Sequence, residues 1–242
     1  MADYQTAIRR EGALGAAIDE GLRAYMTKVY GLMAVAMVIT GVVAYVVGNS
    51  PALLQMIFGT PLKWVAMLAP LGVVFLFAAT VHRMSAATAQ IVFWAFAALM
   101  GVSISYIFAV YTGMSIATTF FVTAIAFLSL SLYGYTTKKD LSGWGTFLIM
   151  GVIGLIVASL INIFLQSPAL QFAVSALGVL IFAGLTAFDT QRLKNEYIHF
   201  AQMGQEGAAI LAKGAIMGAL SLYLNFLNMF MFLLQFLGAA RE

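Results

Sequence analysis

Residues 209–237 read Ala209-Ile-Leu-Ala-Lys-Gly-Ala-Ile-Met-Gly-Ala-Leu-Ser-Leu-Tyr-Leu-Asn-Phe-Leu-Asn-Met-Phe-Met-Phe-Leu-Leu-Gln-Phe-Leu237, with a single charge, Lys213, near the start. A helix needs about 20 predominantly apolar residues to cross a hydrocarbon core of about 30 Å. This run exceeds that length, and its few polar positions are ordered. At 100° per residue Gly214, Gly218, Ser221, Asn225 and Asn228 fall within about one quarter of the helix circumference, while Leu, Phe and Met cover the rest. A membrane helix with one small and polar stripe must turn that stripe toward other helices.

Six more runs of the same kind precede it: Val29–Val47, Trp64–Val81, Ala87–Val110, Ser115–Tyr133, Gly145–Leu165 and Leu170–Phe188. The pattern predicts an all-α integral membrane protein, a bundle of seven transmembrane helices joined by short loops. Composition agrees. The 242 residues are 63% hydrophobic and 9% charged, against about 45–50% and about 25% in a soluble domain, so the lipid bilayer is the implied partner. There is no cysteine, hence no disulfide or thiolate metal site. Basic residues form no cluster longer than Arg9-Arg10 and Lys138-Lys139, which excludes nucleic acid as a partner.

Lys and Arg accumulate in cytoplasmic loops. With the N-terminus inside, Arg9, Arg10, Arg23, Lys28, Arg83, Lys138, Lys139, Arg192, Lys194 and Lys213 are cytoplasmic, and Lys63 and Arg241 lie outside. Residues 1–27 carry charges without an unbroken apolar core and read as a polar cytoplasmic tail ahead of a membrane domain over 28–242.

Eight of the nine acids lie in the tail, the loops or the C-terminus. The ninth, Asp189, closes the sixth run in Gly184-Leu-Thr-Ala-Phe-Asp-Thr-Gln-Arg-Leu-Lys194, on one line with Gln171, Ser175 and Gly178. A carboxylate at that depth is costly and asks for a reason. Arg83, just past the second run, is either its ion-pair partner or a topology signal at the headgroups. His82 carries the same ambiguity. Asn225 and Asn228 are either packing glue or the lining of a polar path. There is no HExxH, GxSxG or Walker A motif, no deep Schiff-base lysine and no catalytic pair, so no enzyme and no cofactor is expected.

Three segments carry a resemblance: 184–194 above, Lys138-Lys139-Asp140-Leu141-Ser142, and Ala219-Leu-Ser-Leu-Tyr-Leu-Asn-Phe-Leu-Asn-Met-Phe230. Over nearly the whole chain after the tail the sequence resembles the Bax inhibitor-1 (TMBIM) family, closest to its bacterial branch. The resemblance implies six helices around a central, hydrophobic seventh, a place in the bacterial inner membrane, and Ca2+ leak or transport that responds to pH. It further implies a sensor pair of aspartates with a latching arginine. Asp189 matches the first aspartate, with Ca2+ as its passing ligand, and Arg83 matches the latch.

Where the family has Leu-Tyr-Leu-Asp-Phe-Ile-Asn, this chain has Leu222-Tyr-Leu-Asn-Phe-Leu-Asn228, so Asn225 replaces the second aspartate. Two touching carboxylates share a proton, which is the basis of a switch near neutral pH. An Asp–Asn pair keeps a hydrogen bond without sharing a charge, so a weakened pH response is expected. The second functional reading is a non-conducting regulator that binds another membrane protein, such as a quality-control protease.

Overall fold

A computed structural model describes residues 2–239, with side chains from residue 18 onward. Arg241 and the side chains of Arg9 and Arg10 lie outside the described residues. The elements are α1 (Ala2–Gly48), α2 (Pro51–Phe58), α3 (Leu62–Thr80), a 3-10 turn (Val81–Arg83), α4 (Ala86–Ile104), α5 (Ile107–Val110), α6 (Gly113–Thr136), α7 (Ser142–Leu165), α8 (Pro168–Phe200), a second 3-10 turn (Ala201–Met203) and α9 (Gly204–Leu237). There is no β-strand among the described residues, and the chain is an all-α membrane protein.

Side-chain hydroxyls start several of these helices. Ser50, Ser85, Thr112 and Ser167 accept hydrogen bonds from the backbone N–H groups of Leu53, Thr88, Ser115 and Leu170. Each satisfies a donor that a helix start leaves open, which matters most near lipid, where water is not there to do it. Pro51 and Pro168 follow two of these caps, where the missing N–H costs nothing.

Six stretches are long and apolar enough to cross a membrane: Ile18–Gly48, Leu62–Arg83, Ala86–Val110, Gly113–Thr136, Ser142–Leu165 and Pro168–Leu237. The number is six where seven runs were expected, because α8 and α9 join through the 3-10 turn into one 70-residue stretch. The sixth helix also continues past the expected end at Phe188 to Phe200. It continues because the far side of Asp189 still packs, with Thr190, Gln191 and Leu193 all buried.

The core also begins earlier than residue 28. Leu22, Tyr25, Met26, Val29, Leu32, Met33 and Ala36 are buried along one face of α1, a continuous 3.6-residue stripe that starts inside the stretch read as tail. Between Ala215 and Leu234 no residue of α9 is exposed, and Ile216, Leu220, Leu222, Tyr223, Phe226, Met229, Phe230 and Leu234 are buried. It packs on α1, α4, α6 and α8. Tyr223 is fully buried: its hydroxyl meets Thr40 Oγ1 at 2.7 Å, and Phe93 and Phe96 stand edge-on to its ring at 5.8 and 6.1 Å. Thr40 in turn donates to the Ala97 carbonyl at 2.8 Å, tying α1, α4 and α9 together. The outer faces of the helices carry exposed Phe75, Phe121, Phe147 and Phe164, as a lipid-facing surface would.

Two glycine arrangements set helix distances. The Gly214–Gly218 pair does not bring two backbones together as its spacing suggests. Gly218 receives the Leu193 side chain and Gly214 lies beneath the Tyr25 hydroxyl. The backbone-to-backbone approach is at Gly134 of α6, where a Cβ would stand 2.2 Å from the Ala187 carbonyl oxygen of α8. A backbone atom cannot rotate away, so Gly134→Ala is expected to cost about 1–3 kcal/mol by overpacking. Gly72→Ala, on an exposed face with nothing within 4 Å, is expected to leave the thermal midpoint in detergent unchanged. Equal midpoints for the two variants would contradict the close α6–α8 approach.

Candidate functional site

The pairing of α8 with α9 brings Asp189 and Asn225 face to face. The Asn225 side-chain amide donates to Asp189 Oδ2 at 2.7 Å, and both residues are buried, at 6% and 5% exposure. Asp189 is the one buried carboxylate among the described residues. Its other oxygen, Oδ1, is 2.9 Å from Arg192 Nη2. Arg192 stands one helical turn along α8 and so points down the same face. The same guanidinium donates to Ser221 Oγ at 3.4 Å and approaches Glu196 Oε1 at 3.6 Å. Both oxygens of the buried acid are therefore occupied, one by an amide and one by a cation.

The cation on Asp189 is Arg192 and not Arg83, as the resemblance implied. Arg83 is exposed on the turn after α3 and forms no ion pair with any described residue. The level of the two helices explains this. The Lys213 ammonium donates to the His82 carbonyl at 3.0 Å, which fixes the end of α3 beside Lys213, and Lys213 lies about 18 Å of helix rise from Asn225. Asp189 itself lies about 12 Å of helix rise from Tyr197, whose ring packs on Tyr25.

Asp189, Asn225, Arg192, Ser221 and Asn228 share one cavity of about 620 Å³, walled by Leu71 and Val74 of α3 and by Val152, Ile156 and Leu160 of α7. The cavity lies between α3 and α7, with the polar residues on the α8 and α9 side. The sequence stripe of α9 is thus brought together with Asp189, except that Asn228 donates to its own helix, to the Leu224 carbonyl at 2.8 Å. The rest of the α8 stripe meets a different partner. Gln171 and Ser175 both donate to Gln235 Oε1, at 2.8 and 3.1 Å, forming a separate polar cluster at the far end.

Two residues beside Asp189 hold the surrounding backbone. Gln191 accepts from the Leu141 N–H and donates to the Lys139 carbonyl, both at 2.8 Å, so the loop after α6 is fastened to α8. Within that loop Asp140 accepts from the Ser142 N–H at 2.9 Å, and the Ser142 side chain first, with this backbone bond second, holds its carboxyl below the usual carboxylate range. Thr190 hydrogen-bonds Ser131, which bonds the Tyr30 hydroxyl, linking α8, α6 and α1. Sequence reasoning counted Arg192 as a topology signal and passed over Gln191. The available signal for Arg192 was its spacing of three from Asp189 on one helix. For Gln191 there was none, since its partners are backbone groups remote in sequence.

As arranged, each carboxylate oxygen of Asp189 carries one partner, and no group of three or more His, Cys, Asp or Glu side chains that could hold a metal ion occurs among the described residues. What it can do is exchange partners. A guanidinium at 41% side-chain exposure is bound to an acid at 8%.

These features define an integral multi-pass membrane protein with a polar site buried in an apolar bundle. Residues 22–242 match the family model described as inhibitor of apoptosis-promoting Bax1, and the chain belongs to this family, the Bax inhibitor-1 family. Similar proteins include one described as uncharacterized in Caulobacter vibrioides, 48% identical over 93% of this chain and 92% of the relative. The inner membrane protein YbhL of Escherichia coli K12 is 44% identical over 91% of this chain and 94% of its own length. An uncharacterized membrane protein of Streptococcus pyogenes serotype M3 is 33% identical, over 91% and 94%.

Replacing Gln191 by Leu removes both loop fasteners without touching the acid. The variant is expected to be cut by trypsin after Lys138 or Lys139 faster than the unmodified protein in detergent, at equal thermal midpoint. Unchanged cleavage would mean that the loop is held by other groups.

Proposed function

We propose that this protein is a cation leak channel or transporter that passes Ca2+, with the Asp189–Asn225 pair as its constriction. In this reading it crosses the membrane seven times, α8 and α9 being separate spans and α9 the central helix. The N-terminus is cytoplasmic and the membrane is the bacterial inner membrane. The observation that carries the reading is a lone carboxylate, paired and hydrogen-bonded, beside a cavity in an otherwise apolar bundle. An intramembrane acid is expensive and is kept where ions or protons are handled.

Arg192 is the latch of this mechanism. With its guanidinium on Asp189 Oδ1 the acid is neutralised by an internal cation, and an entering cation must displace it. Asn225 supplies an amide oxygen once its N–H no longer faces the acid, a ligand type that suits Ca2+. With one carboxylate instead of two, the site attracts a divalent ion weakly and has no shared proton to release.

The experiment is Ca2+ flux from proteoliposomes stepped in pH. Asp189→Asn is expected to lower flux several-fold, and Arg192→Gln to raise it. Asn225→Asp is expected to create a pH dependence near neutrality that the unmodified protein lacks. Flux equal to that of empty liposomes in every variant would sink the proposal and favour the regulator reading, in which a membrane protein partner co-purifies without any conductance. A steep pH response in the unmodified protein would overturn the role given to Asn225.

A further inference from the structure

The helix ring has a second opening, on the side away from Asp189. α1 packs on α4, α8 and α9, and α6 packs on α8 and α9. Between α1 and α6 runs a cleft in two contiguous parts. The larger, about 890 Å³, is walled by apolar side chains including Met33, Met37, Ala117 and Phe120, with Phe226 of α9 also lining it. The smaller, about 480 Å³, lies toward the basic end and is edged by Arg23, Thr27, Ser131 and Tyr135. Tyr30 and Leu128 line both parts, so the two parts adjoin at these side chains, where the Tyr30 hydroxyl also bonds Ser131.

The two ends differ in chemistry. Along α1 the apolar part extends from Tyr30 to Tyr45, about 22 Å of helix rise, more than the depth of one leaflet of a core about 30 Å thick. At the other end Arg23 is exposed and forms no ion pair with any described residue, and the Thr27 hydroxyl has no hydrogen-bond partner among them. The nearby Lys194 is already engaged, its ammonium donating to the Tyr135 carbonyl at 2.8 Å and lying over the Tyr135 ring. Among the described residues, Arg23 is thus the one cation that lines the cleft. A ligand matching this surface has a long apolar chain and an anionic group at one end only.

We propose that the α1–α6 cleft binds an anionic phospholipid of the leaflet on the basic side. Its phosphate sits on Arg23 and Thr27, and an acyl chain runs past Tyr30 and Leu128 into the apolar part. An Arg fork suits phosphate geometry, and a basic residue at a membrane surface favours an anionic lipid by about fivefold. The site is independent of whether the protein conducts.

The test is lipid retention by full-length protein in mild detergent, delipidated and then titrated with dioleoylphosphatidylglycerol or dioleoylphosphatidylcholine and read by native mass spectrometry. The expected result is one tightly held phosphatidylglycerol per chain, with phosphatidylcholine held more weakly. Arg23→Ala is expected to weaken phosphatidylglycerol retention by about fivefold and abolish the preference. Lys63→Ala, removing a cation that lies over Trp64 at 5.5 Å outside this cleft, should change nothing. Ala117→Trp and Ala34→Trp, which fill the apolar part, should lose both lipids while keeping the thermal midpoint. Equal retention of the two lipids by the unmodified protein overturns the proposal. So does an Arg23→Ala effect no larger than that of Lys63→Ala, or full retention in folded tryptophan variants. Should a tryptophan variant fail to fold, the comparison of Arg23→Ala with Lys63→Ala decides alone.

Discussion

A carboxylate enclosed by apolar helices must find partners inside the protein, because neither water nor lipid will supply them. Asp189 finds two, the Asn225 amide at 2.7 Å and the Arg192 guanidinium at 2.9 Å. The first partner lies on α9 and the second on α8 itself, so the acid fixes the register between these two helices. Leu193, seated against Gly218, fills the same seam one turn further on. Removing either polar partner would leave a buried acceptor unmet, at a cost of about 1–3 kcal/mol.

The remaining helices arrange themselves around that pair. α1 and α6 reach α9 and α8 through hydroxyl contacts, Thr40 with Tyr223 and Ser131 with Thr190. Such contacts hold helices in lipid, where apolar side chains gain little by preferring each other to acyl chains. α3 is the least engaged, packing chiefly on α4 and lying away from α8. α9 meets α1, α4, α6 and α8, and the bundle is open at two seams. One seam exposes the polar site between α3 and α7, and the other presents an apolar slot between α1 and α6.

Much of the site was legible from residue type and spacing. Asp189 stood out as an acid in an apolar run, and Asn225, Ser221 and Asn228 stood out as a stripe at helical periodicity. The partner of the acid was legible only in part: Arg192 stands three residues from Asp189 on one helix, but an arginine after an apolar run also reads as a topology signal at the headgroups. Arg83 and Arg192 both follow an apolar run, but only Arg192 shares a helix with the acid. They also differ in level along the bundle, since the Lys213 ammonium on the His82 carbonyl holds the end of α3 beside Lys213 of α9. The start of the core before residue 28 was legible in principle, since Leu22, Tyr25 and Met26 continue the α1 stripe, but the flanking charges obscured it.

The amino-acid sequence by itself determined the solvent, the element type and the membership of the family. Hydropathy over about 20 residues decides between water and lipid, and lipid admits only structures that satisfy their own backbone. It also determined that Asp189 would have an amide opposite it instead of a second acid, if those two helices met. Tertiary structure alone decided that they do meet, that Arg192 completes the pair, that α8 and α9 run on through one turn, and that two clefts remain unfilled. These are consequences of helix depth, rotation and closest approach. Such quantities depend on contacts between residues far apart in the chain, as at Gly134 against Ala187, and no local pattern encodes them.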